Sequence, residues 1–140
     1  MSKFHVPSAL LTTDINAYSA EGHERKCAFH RDGRRFLKGL AGALDLARGS
    51  FEVRSNLGGI AVSGEVTLHS DTLYVQIAEG LVWPDVQILY RRCRGQRDYC
   101  GEMNHFVAVR DLAAADWRLK AFVSELRALG CLDEPQRLAA

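Results

Sequence analysis

"IAVSGEVTLHSDTLYVQIA", residues 60–78, decides the fold. Ile60, Val62, Val66 and Leu68 fall on one side of an alternation, with Ala61, Ser63, Glu65, Thr67 and His69 on the other. Leu73, Val75 and Ile77 then alternate with Thr72, Tyr74 and Gln76. A period of two marks strands with one buried face, and the Ser70–Asp71 pair between the runs reads as a tight hairpin turn.

The pattern extends in both directions. Upstream, Phe51 and Val53 alternate with Glu52 and Arg54, and Asn56 to Gly59 reads as a turn. Gly64 marks a bulge site. Downstream, Pro84 breaks the chain before "VQILYRRC", a fourth strand, and "HFVAV" is a fifth apolar run. Two helical stretches flank the strands. Phe36, Leu37, Leu40, Leu44 and Ala47 place a helix over about 33–47, with Asp32 as cap and Gly49 at its end. Gly39 and Gly42 cost it about 1 kcal/mol each relative to Ala, and leave room for a close neighbour. Leu112, Leu119, Phe122, Val123, Leu126 and Leu129 form the stripe of a last helix, capped by Asp111 and ended by Gly130.

Strands in succession with helices at the ends indicate an α+β fold. The expected architecture is an antiparallel sheet of four to five strands, with an N-terminal and a C-terminal helix packed on one face. At 140 residues the chain is one domain, 1–140, with a loosely ordered arm over 1–22 and a frayed tail over 131–140. The uncovered face is expected to carry Arg54, Glu65, Thr67, His69, Tyr74, Gln76 and Arg91, a mixed polar surface suited to solvent, a second copy or a ligand.

Hydrophobic residues make up 47% and charged residues 25%, the balance of a soluble globular chain. Pro7, Thr12, Thr13 and Asp14 interrupt any signal-like apolar run near Lys3, and nothing approaches a membrane span. The expectation is a cytoplasmic protein with no membrane association, and with Cys27, Cys93, Cys100 and Cys131 as free thiols. Net charge is +1 but unevenly spread. Arg25–Lys38 and Arg91–Arg97 together carry +9, leaving eight bases against sixteen acids elsewhere.

Three functional classes follow. "YRRCRGQRDYCGEMNH", residues 90–105, offers Arg91, Arg92, Arg94 and Arg97 for phosphate, with Tyr90 and Tyr99 to stack on bases and Arg34 and Arg35 as a second basic source. Strand alternation sends Arg91 and Arg92 to opposite faces, and a pI near 7.7 lacks the strong basicity of dedicated nucleic-acid modules. "HERKC" departs from the zinc-protease helix pattern because Cys27 stands where a second histidine belongs. A hydrolase site on His23, Glu24, Cys27 and His30 is therefore the weakest reading. Cys93, Cys100 and His105 are too widely spaced for a structural zinc signature, so no metal and no cofactor is the expectation. The leading reading is a non-catalytic binding domain, a homodimer through the open sheet face or an edge. His69, Tyr74, Arg54 and Glu65 are its expected interface, and an anionic ligand or nucleic acid is the alternative partner.

Overall fold

The computed structural model describes residues 4–80, 85–99 and 102–133. Trp83, Pro84, Cys100 and most of the expected tail, Pro135 included, lie outside the described residues. The architecture is α+β: helix α1 (Ala20–Ala43), strands β1 (Phe51–Asn56), β2 (Glu65–Ser70), β3 (Leu73–Glu79), β4 (Val86–Arg92) and β5 (His105–Ala108), then helices α2 (Val109–Ala113) and α3 (Asp116–Leu129). The five strands form one antiparallel sheet in chain order, β1 and β5 at its edges. No helix among the described residues is long and apolar enough to cross a membrane.

Register follows from the alternation. Val53, Leu68, Val75, Tyr90 and His105 form one cross-strand row, and Ser55, Val66, Ile77, Ile88 and Val107 the next. Both rows face the helices. α1 lies over β1 and β2, so close that a Cβ on Gly33 would stand 2.9 Å from Val66 Cγ2. α3 covers β4, where Phe122 meets the Tyr90 ring edge-on at 5.1 Å and Glu125 accepts the Tyr90 hydroxyl. Burial, together with that carboxylate, pushes the phenol well above its usual range.

The first helix starts earlier than its apolar period suggests. Ser19 caps it, its hydroxyl accepting from Gly22 N at 3.0 Å. Gly22, Lys26, Phe29, His30 and Gly33 then continue the buried side as far as Phe36. Asp32 lies inside the helix beside Arg31 and Arg35 and caps nothing. The helix stops at Ala43, with Asp45 rather than Gly49 taking the first left-handed backbone after it. Ahead of the helix, Leu10 and Ile15 are fully buried and Phe4 stacks on Phe36 at 5.1 Å. The small Gly39 accommodates the Phe4 ring rather than another backbone.

Two strand details differ. The alternation at Ile60–Val62 belongs to the β1–β2 connection, where Ile60 is 63% and Val62 48% exposed. Gly64 closes the neck of that loop at φ +71°, and a Cβ there would stand 2.3 Å from the Asn56 carbonyl oxygen. The hairpin turn is Asp71–Thr72, one residue later than expected, because Ser70 Oγ accepts from Leu73 N at 2.9 Å. The C-terminal helix is two pieces. Ala115 is extended and starts α3, and Asp111 lies within α2. Leu112, Leu119, Phe122 and Leu126 nonetheless share the buried stripe.

Candidate functional site

With both helices on one side, the other face of the sheet carries two neighbouring rows. One is Arg54, Thr67, Gln76, Leu89 and Phe106; the other is Glu52, His69, Tyr74 and Arg91. Phe106 is 61% exposed at the centre of the β5 end, next to half-buried Leu89. A large aromatic held outward on a strand is what separates this face from an ordinary solvated one.

The second row is partly roofed by the β4–β5 loop. Arg91 is only 8% exposed, its guanidinium 4.2 Å above the Tyr74 ring. Its Nη2 donates to the Tyr99 carbonyl at 2.8 Å and its Nη1 to Asn104 Oδ1 at 3.4 Å. His69 meets Tyr74 and Tyr99 edge-on at 5.1 and 5.3 Å. Arginine suits this position because its planar, weakly hydrated cation stacks on a ring while donating in its own plane. His69 Nε2 and Arg91 Nε have no hydrogen-bond partner among the described residues, so ring contacts dominate this end of the face. Tyr74 donates its hydroxyl to Gln76 Oε1 at 2.9 Å, which ties the two rows together.

The arginines are not gathered into one patch. Arg91 lies on the open face, whereas Arg92 reaches the other way to Cys131 Sγ at 3.0 Å. Arg94 and Arg97 are exposed on the loop, where the Arg94 amide is bound by Asp98 Oδ2 at 2.9 Å. Arg34 and Arg35 sit on α1, across the sheet from Arg91. Tyr90 belongs to the core and Tyr99 is exposed. Glu65 is half-buried and Arg54 pairs with Glu52 at 2.5 Å.

The "HERKC" residues divide as well. Cys27 Sγ and His23 Nε2 approach to 3.6 Å on the exposed side of α1. His30 turns inward instead, with Nε2 on the Ser63 carbonyl at 2.7 Å and Nδ1 against Ser55 Oγ. Among the described residues, no group of three or more His, Cys, Asp or Glu side chains could hold a metal ion. Cys93 is buried and donates to the Ser70 carbonyl, and burial raises its thiol pKa. Lys26, Ser55, Ser63 and Asn104 are residues that sequence reasoning missed. Lys26 Nζ donates to the Gly59 carbonyl at 2.8 Å, so it and His30 together fasten the β1–β2 loop to α1. The 22, 26, 30, 33 spacing was the available signal for that pair. Nothing in the sequence points to Asn104.

Both buried histidines have pKa values below the ordinary 6.5, burial being the largest cause in each; a backbone hydrogen bond partly opposes it, from Ser63 for His30 and Gly95 for His69. The unfolded chain therefore binds more protons than the folded one as pH falls through 6.5. The histidine contribution to stability is complete above that value and is lost progressively below it. Urea midpoints should thus be lower at about pH 5.5 than at about pH 7.5, a window in which carboxylates scarcely titrate. His30→Asn should flatten the slope. Equal midpoints for the wild-type chain would contradict the burial of both rings.

No family model, curated protein or solved structure matches the chain. Its functional reading rests on the geometry above.

Proposed function

We propose that the protein is a non-catalytic interaction domain that works as a homodimer and receives a partner on the open face of its sheet. One observation carries this reading: the helices occupy a single face, and the opposite face holds Phe106 outward beside Leu89 and Gln76. The same face carries Glu52 and Glu65 as well as Arg54, which favours a protein surface of mixed charge over a uniformly anionic ligand. The His23–Cys27 contact is an exposed thiol beside an imidazole on a helix surface, without the burial of an activated nucleophile and with no third orienting group among the described residues.

Light scattering is the test of assembly. At micromolar concentration the mass should be twice 15.6 kDa, since two-fold closure is the commonest solution for identical chains. A single-chain mass at every dilution would overturn the homodimer.

A second reading, anion or nucleic-acid binding, is favoured by Arg94, Arg97 and Tyr99, which share exposure on one loop. Arg91 cannot join them without leaving Tyr74. Fluorescence anisotropy with RNA and DNA at about 50 mM salt, where counterion release favours binding most, should show no complex. Binding abolished by Arg94→Gln with Arg97→Gln would replace the leading reading with this one.

A further inference from the structure

We infer that two copies of this chain join through β1, pairing antiparallel about a two-fold axis at Val53, so that two sheets become one and both open faces stay free. This rests on the homodimeric reading above and specifies its surface.

β1 is an edge strand, and among the described residues β2 is the one strand its backbone pairs with. Among the described residues no backbone hydrogen bond reaches its outer side, so a row of N–H and C=O groups is left for another strand. The other edge is a poorer template: β5 is four residues long and runs straight into α2. β1 has six residues, with no proline and no bulge in its pairing to β2.

Charge selects the register. In antiparallel pairing about a central residue, neighbours on either side face each other across the axis. Glu52 and Arg54 flank Val53 on the open face. Centring on Val53 sets Glu52 opposite Arg54 of the partner subunit, and Arg54 opposite Glu52 of the partner subunit. Centring on Glu52 or on Arg54 instead sets like charges face to face, which disfavours a pair directly opposite. On the helix side, half-buried Val53 faces Val53 of the partner subunit, and half-buried Phe51 faces Ser55 of the partner subunit with Val53 of the partner subunit on the diagonal. The two α1 helices then lie on one face on either side of the axis, because α1 already sits over β1 and β2. The loop leaving β1 adds exposed Leu57, Ile60 and Val62 at the end of the same edge.

Cross-linking tests the register directly. Val53→Cys is placed in a chain carrying Cys27→Ser, Cys100→Ser and Cys131→Ser, which leaves buried Cys93 as the other thiol. Directly opposite residues lie about 4.5–5.5 Å apart between Cα atoms, within disulfide reach. Mild oxidation should give a reductant-sensitive dimer. Arg54→Cys in the same background should not, since the two introduced thiols would be offset along the strands. Glu52→Lys should weaken the dimer about tenfold in Kd by turning two attractive pairs repulsive, and adding Arg54→Glu should restore it. A wild-type mass of two chains with no Val53→Cys cross-link overturns the β1 interface and leaves the homodimer standing. A wild-type mass of one chain overturns both.

Discussion

Phe29→Ala should destabilise the chain by about 3–5 kcal/mol, the usual cost of deleting a fully buried aromatic ring. Phe29 has no exposed surface, and its ring packs edge-on to His30 at 5.2 Å. At about 3 °C per kcal/mol for a chain of this size, Tm should fall by roughly 10 °C or more. Trp117→Ala, which removes a ring 65% exposed on α3, should change stability by about 0.5 kcal/mol at most. The comparison tests the helix boundary, because an α1 beginning only at Gly33 would leave Phe29 in an exposed lead-in. Near-equal effects of the two substitutions would contradict the packing described.

Gly64→Ala is the second large effect expected. Its φ of +71° is a conformation that side chains adopt at a cost of about 1–3 kcal/mol. The added Cβ would also press on two backbone carbonyls, Asn56 O at 2.3 Å and Leu57 O at 2.6 Å, neither of which can rotate aside as a side chain would. The loop neck has to open, and opening it strains the tethers from Lys26 to Gly59 and from His30 to Ser63. We expect a loss of about 2 kcal/mol or more, with protease cleavage appearing in residues 57–64 before global unfolding. Gly42→Ala is the contrasting substitution: a Cβ there meets nothing within 4 Å, and the helix should gain up to about 1 kcal/mol. Tolerance at Gly64 would mean that the loop is not held as described.

The strands were legible because alternation and burial coincide within β2 and β3, where Val66 and Leu68, then Leu73, Val75 and Ile77, are fully enclosed. The same rule overreached at Ile60 and Val62, since alternation says nothing about whether a partner strand lies alongside. The second half of α1 was legible from Phe36 to Leu44. Its first half was hidden because Gly22, Lys26, His30 and Gly33 face inward without being apolar: lysine reaches a carbonyl, histidine bridges two serines, and the glycine admits Val66. On the open face, alternation put Arg54, His69, Tyr74 and Arg91 together, as the register requires. What it could not supply was the fold of the β4–β5 loop. Tyr99 and Asn104 return over Arg91 and convert a supposed surface cation into a stacked, nearly buried one. Long-range contacts of that kind depend on a loop path that no local pattern encodes.

Hydroxyl-radical footprinting of the isolated protein tests whether the open face of the sheet is free to receive the proposed partner. Phe106, Tyr99 and Met103 are all more than half exposed, whereas Phe29, Tyr90 and Phe122 are buried on the helix side. Strong oxidation of the first three and protection of the other three is the expected result, unchanged between dilute and concentrated protein. Protection of Phe106 in the dilute protein would mean that the chain covers its own open face, and would overturn the proposed function.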